Sequence, residues 1–443
     1  MGTAQVVAMG LFLAAACVVI ADEGAVGVIG WVVDPEVLLA LLGLNLLLAT
    51  VRVWSTTHAW LIAGGRLASL TLMALVLLVS IPHVALSYYG FQTRSTLMTV
   101  FSSKPDPPPA LATEATPTST STTSTSLLTT TSHPPQTAVT TTTTSTIPPT
   151  TISLPLDAAR FTVLLLGGDA GPGRPGLRTD TMIVASIDTV TGDAALFGLP
   201  RNMGGFTFSD GTPFPGSNQG LLNEVYQWGR RNPGRFDGVD PGASAVADVA
   251  ATLLGIPIDH YILVDMVGFS ELIDALGGIA VDVSRDTIAP VYDRERGTHT
   301  MITIPSGRQE LDGDLALAFA RSRTGSNDYD RMGRQRCLLT ALASQVEPVN
   351  LFARLPILLH TIERRVTTDI PLGKIPDIVN LAPLISSDRV VVVGFDRGYR
   401  DGTTETGLAR PDIDAIQAAV QLALSGQGGN DSALATASAA CSP

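Results

Sequence analysis

Lysine is nearly missing from this chain. Lys104 and Lys374 are the two in 443 residues, so almost all of the positive charge is arginine. Arginine's planar fork suits bidentate phosphate binding, although a genome-wide bias would give the same count. Cysteine is scarce, at three. Cys17 lies in an apolar segment. Cys337 and Cys441 lie in the polar part; they either pair in an oxidising compartment or are two unrelated thiols. No G-x-x-x-x-G-K-[ST] follows the first strand pattern of the polar part, which excludes a P-loop site. No G-x-S-x-G elbow is present, against an α/β-hydrolase. His260, His299 and His360 are isolated, without zinc-type spacing. The net charge of −12 argues against nucleic acid as a partner. Phosphoryl transfer survives these exclusions. It needs no special nucleophile from the protein, only cationic clamps, a metal and orientation.

Three apolar runs open the chain, at residues 6–21, 37–49 and 67–88. The third is the clearest membrane span. The first loop carries acids and no basic residue, whereas Arg52 and Arg66 bracket the second. The positive-inside tendency places residues 52–66 in the cytoplasm and everything after Tyr89 outside. Residues 1–91 are therefore expected to be an anchor of about three helices. Residues 92–157 are a linker dominated by Thr, Ser and Pro. Such composition cannot bury enough surface to fold and reads as a stalk holding the next unit off the membrane. Residues 158–425 form the soluble domain, and 426–443 a flexible tail.

The domain opens with FTVLLLGGDAGPGRPGLRTDTMIVASIDTVTGDAALFGLPR, residues 161–201. Apolar runs at 161–167, 182–188 and 194–199 read as strands, separated by a Gly/Pro-rich loop and a tight turn. An up-down-up meander would place Asp169, Asp180 and Arg201 together at one edge. Two carboxylates and a guanidinium suit a divalent cation and a phosphate oxygen. The alternative is solvated turn residues. Further on, strand, helix and strand patterns alternate over 242–283, implying a sheet covered by helices. Residues 285–310 read as irregular, with one short strand near 301–304.

A second cluster follows: Arg321-Ser322-Arg323, then Asp330-Arg331-Met332-Gly333-Arg334-Gln335. In extended chain Arg321 and Arg323 share a face. A helix opening at Asp330 places Arg331 and Gln335 on one stripe with Leu338 and Leu342. A core-facing stripe that begins with Arg and Gln marks a polar pocket at a helix N-terminus, where phosphate is favoured. The alternative is a solvated helix start with Arg331 paired to an acid. If the pocket is wet, losing these arginines should leave the fold intact. Arg235 reads as an exposed surface arginine.

These segments, with LLNEVY, LLGIPIDHYILVDMVGFSELIDALGGIAVDV, LDGDLALAFARSR and DYDRMGRQR, resemble the LytR–CpsA–Psr family from about residue 161 to 424. The resemblance implies an α/β/α sandwich around a mostly five- or six-stranded mixed sheet, with a long apolar pocket for a polyprenyl chain. It implies a membrane-anchored extracellular enzyme. That enzyme moves a glycopolymer from a polyprenyl-pyrophosphate carrier to peptidoglycan through a phosphodiester. It also implies Mg2+ (or Mn2+) at Asp169 and Asp180. Arg201, Arg321, Arg323 and Arg331 fall on catalytic positions, and Arg178 and Gln335 on substrate-binding ones. Asn202 stands where the family usually has Asp. A polyprenyl-pyrophosphate phosphatase and a non-catalytic wall-binding or regulatory protein are the competing readings.

Overall fold

The computed structural model describes residues 34–62, 69–101, 160–169, 177–215, 220–236, 238–293, 298–325, 328–345, 348–386, 389–395, 397–425 and 435–436. Two helices, α1 (Pro35–Ile62) and α2 (Ser69–Val100), are long and apolar enough to cross a membrane. They pack on each other, and the buried Asn45 amide donates to His83 O and Ser87 Oγ, each at 2.9 Å. The first apolar run, at residues 6–21, lies outside the described residues. Two of the expected spans, not about three, are therefore described.

The domain begins with the expected meander. β1 (Arg160–Gly168), β2 (Thr179–Asp188) and β3 (Ala194–Gly198) pair antiparallel in sequence. Alternate residues feed both faces, so the strands read as nearly continuous apolar runs. Next come α3 (Val225–Arg231) and α4 (Pro241–Leu254). The Asp240 side chain caps α4, and Gly255 ends it at φ 67°, a left-handed turn that glycine adopts without a Cβ penalty. β4 (His260–Asp265) runs parallel to β1 and passes directly into α5 (Met266–Leu276), whose N-cap is Asp265.

β5 (Ile279–Val283), β6 (Thr287–Asp293), β7 (Thr298–Ile304) and β8 (Gly307–Leu311) stand apart from the main sheet. β5 pairs with β8, and β6 with β7, both antiparallel. The expectation of an irregular stretch at 285–310 is corrected by these pairings. Ala289, Val291, Ile302 and Ile304 alternate inward onto a second core. Pro290 and the short runs hid that alternation from a window-based reading.

The chain continues through α6 (Gly313–Arg321), α7 (Asp328–Gln345), α8 (Pro348–Arg365), β9 (Val366–Thr368), α9 (Ile375–Leu381) and β10 (Val390–Gly394). It closes with β11 (Arg400–Thr403), β12 (Ala409–Pro411), α10 (Ile413–Leu424) and β13 (Ala435–Thr436). The main sheet is mixed, in the order β13-β10-β3-β2-β1-β4-β9. Two-residue β13 adds an edge strand within the stretch expected to be a flexible tail. On one face α4 and α10 bury Val246, Leu253 and Ile416 against Leu164, Val184 and Phe197. On the other, Leu339 of α7 packs on Ile183, Leu196 and Val392. The result is an α/β/α arrangement.

The second apolar helix passes the expected boundary at residue 91. α2 runs on to Val100, and buried Leu97 packs with Leu359 of α8 and with Leu372, Ile375 and Val379. The last turns of α2 thus pack directly on the domain. Residues 102–159 lie outside the described residues. Cys337 is disulfide-bonded, and both Cys17 and Cys441 lie outside the described residues.

Candidate active site

The C-terminal ends of β1 and β4 define an upper edge of the sheet. Asp169 follows β1 there, with its Oδ1 accepting from Arg178 N at 2.7 Å. Asp180 enters β2 at the same level, and Arg201 arrives from β3. Arg201 Nη1 lies 2.8 Å from Asp180 Oδ1, which also accepts from Asn223 Nδ2 at 3.2 Å. Burial alone would raise the Asp180 pKa; the Arg201 charge and the hydrogen bonds from Arg201 and Asn223 outweigh it and hold the carboxyl below its ordinary value. Burial likewise works against charge on Arg201, but Asp180 and Asp328 more than offset it and raise its pKa.

α6 delivers the second cluster from the opposite wall. It ends at Arg321, and Ser322 turns the chain extended (φ −54°, ψ 135°). Ser322 is buried and donates from Oγ to Ile288 O at 2.6 Å. That anchors the middle of the Arg-Ser-Arg triplet and leaves Arg321 and Arg323 on the pocket side. Arg334 holds the same turn from behind. It is buried, with Nε donating to Phe319 O at 3.1 Å and Nη2 to Ser322 O.

α7 supplies Arg331 and Gln335 on its pocket face, followed by Leu338, Leu339 and Leu342. The helix runs downward along the sheet. Met332 lies beside Gly198 at the top of β3, and Leu339 reaches the cluster that contains Ala194 and Val390. α5 also starts at the top and runs down, lining the pocket with Met266, Phe269, Leu272 and Leu276. Between these walls lies one cavity of about 630 Å³, with arginines and aspartates at its upper end and leucines below.

Asp169, Asp180, Arg201, Arg321, Arg323, Arg331 and Gln335 all line that cavity, whereas Arg178 is exposed and does not. Asn202 is likewise exposed and outside the lining. One expectation is corrected: Arg331 does not face a wet pocket. It is 4% exposed. Its Nε and Nη2 donate to the two oxygens of Asp328 at 3.1 and 3.2 Å, and Nη1 to Asp180 O at 3.1 Å. Arg235 is exposed, as expected; it lies 4.4 Å over the Phe208 ring and pairs with Asp210.

Sequence reading missed Asp328, the hub of the cluster. Besides Arg331 it engages Arg201 Nε at 3.4 Å and Arg323 Nη2 at 3.2 Å. Its signal was present as an acid three residues before Arg331, one helical turn away. Asn223 and Arg334 were missed for want of any local pattern, since their partners are 43 and 12–15 residues distant.

A profile described as the LytR_cpsA_psr family matches residues 120–421. The chain belongs to that family. One relative is TagU of Enterococcus faecalis, named a polyisoprenyl-teichoic acid–peptidoglycan teichoic acid transferase. It is 32% identical over 267 residues, covering 58% of this chain and 77% of the relative. A TagU of the same designation from Halalkalibacterium halodurans is 28% identical over 214 residues, covering 48% and 62%. The chain therefore spans less than two thirds of that second relative. Among solved structures, Bacillus subtilis TagV aligns with a TM-score of 0.44 at 22% identity, over 60% of this chain and 97% of that one.

Proposed function

We propose that this protein transfers a glycopolymer from a polyprenyl-pyrophosphate carrier to peptidoglycan, forming a phosphodiester. The observation that carries the reading is the two-ended cavity: arginines at the top, leucine walls below. The apolar part takes the prenyl chain, and Arg201, Arg321, Arg323 and Arg331 bind the pyrophosphate by charge-assisted hydrogen bonds. An acceptor hydroxyl attacks the phosphorus that bears the glycan and gives up its proton to solvent. The bond to the bridging oxygen breaks, and polyprenyl phosphate leaves with that oxygen's negative charge. Arginines fixed in advance by Asp180 and Asp328 stabilise the charge that develops on the phosphoryl oxygens. Family membership and the relatives' names support this reading.

Asp169 and Asp180 are the residues that would hold magnesium. Among the described residues no three His, Cys, Asp or Glu side chains converge on a metal-sized site. Magnesium nonetheless commonly takes one or two carboxylates and completes its shell from substrate phosphates and water, so the pair fits. When bound, it would neutralise pyrophosphate charge. The two apolar helices support a membrane anchor, and we extend this to a multi-pass anchor with the domain outside the cytoplasm.

The test is a reconstituted reaction containing polyprenyl-pyrophosphate-linked glycan and peptidoglycan, read by mass spectrometry. A glycan–peptidoglycan phosphodiester supports transfer. Released free glycan phosphate with no adduct would mean a phosphatase, and unchanged substrate a binding protein.

A further inference from the structure

α2 docks on the domain in a direction that can be read from two contacts. Thr96 Oγ1 donates to Glu363 Oε2 at 3.0 Å, just before β9 begins. Leu372 N donates to Phe101 O at 3.2 Å, just after β9 ends. β9 pairs with β4 so that Val366 meets Val264 near the upper edge and Thr368 meets Ile262 lower down. The last turns of α2 therefore run beside β9 from its upper to its lower end. The apolar remainder of α2, before Thr96, lies on the upper side. Exposed Tyr88, Tyr89 and Phe91 mark an interfacial belt on it. From Tyr89 to Thr96 the helix rises about 10 Å.

The upper side is also the side of the arginine-rich mouth. Beside that mouth the β6–β7 hairpin presents an outer face that is exposed among the described residues. Ile288, Tyr292 and Met301 are exposed on it, and the paired residues Ile288↔Thr303, Pro290↔Met301 and Tyr292↔His299 share one side. The opposite side, with Ala289 and Ile304, is core. Ser322 Oγ bonds Ile288 O, so this apolar face adjoins Arg321 and Arg323. Exposed Arg285 stands at its base. Apolar and aromatic side chains flanked by arginine are what an anionic bilayer surface accepts.

We propose that the mouth of the cavity and the outer face of the β6–β7 hairpin rest on the lipid bilayer that α2 spans. The carrier's pyrophosphate then meets the arginines at headgroup level, and its chain bends out of the bilayer into the cavity. The lower end of the domain points away from the membrane. Phe101 and Arg160, which flank the Thr/Ser/Pro-rich segment, both lie there: α9 packs Ile375 and Val379 beside Phe101, and Ile378 and Leu381 against Phe161.

This inference rests on the anchor reading and on α2 being a span, but its test does not need turnover. The full chain is reconstituted into phosphatidylglycerol–phosphatidylcholine vesicles, with photoreactive benzoylphenylalanine at Met301, at Tyr292 or at Val190. Val190 is 79% exposed in the β2–β3 turn at the lower end. Lipid adducts at Met301 and Tyr292 but not Val190 are expected. Adducts at Val190 alone, equal adducts at all three, or none at any would overturn the orientation. A transferase assay that fails while Met301 labels lipid would count against the function and leave this inference standing.

Discussion

Asp328 and Arg331 stand one helical turn apart, and both carboxylate oxygens of the first grip the guanidinium of the second, at 3.1 and 3.2 Å. The same acid reaches Arg201 and Arg323. One carboxylate thus aligns three cations that would otherwise repel each other around the mouth of the cavity. Asp328→Asn keeps the size and loses the charge. It should lower kcat/KM by roughly ten- to a hundredfold, in proportion to the loss of one or two charge-assisted contacts. Asp328→Glu should recover part of the loss. Steady-state kinetics with a polyprenyl-pyrophosphate substrate check this; wild-type rates for Asp328→Asn would remove the hub role.

Arg331 and Arg323 share a partner but differ in surroundings. The Arg331 side chain is 5% exposed and that of Arg323 57%. Arg331→Ala leaves Asp328 and the Asp180 carbonyl short of a donor and should destabilise the domain by about 3 kcal/mol. Arg323→Ala should change stability by about 0.5 kcal/mol or less. Both should lose activity. Urea unfolding of the two variants beside Arg308→Ala, on exposed β8, measures the contrast, and equal midpoints would contradict the burial argument.

Asp180 carries a depressed pKa, so its contribution to stability is present above the unfolded value and lost as pH falls through the folded one. The stability gap between wild type and Asp180→Asn should hold steady above about pH 5 and shrink below about pH 4. Unfolding midpoints at stepped pH test the sign. A gap that widened on acidification would mean that Asp180 is not held by Arg201.

Much of the site was legible in the sequence because its residues sit where strands and helices end. The meander forces Asp169, Asp180 and Arg201 to one edge once the strands are recognised, and the 3.6-residue stripe through Arg331, Gln335 and Leu338 announces a pocket wall. What was not legible depends on distance. Asn223 meets Asp180 from another element, and Arg331 is dry only because Asp328 and the start of β2 close over it. The β6–β7 hairpin was lost because its inward residues are few and Pro290 interrupts them. The path of α2 onto β9 and α8 joins residues far apart in the chain, which no local window can see.

The proposed transfer requires one cavity to hold the charged head and the apolar chain of the same molecule. Calorimetric titration of the protein with a long-chain polyprenyl pyrophosphate, inorganic pyrophosphate and the free polyprenol in parallel measures this. The intact lipid should bind at least roughly a hundredfold more tightly than either half, because head and chain contacts add within one site. Arg321→Lys should weaken the intact lipid and leave the polyprenol unchanged. Pyrophosphate binding as tightly as the intact lipid, or a lipid affinity indifferent to Arg321, would contradict the claim.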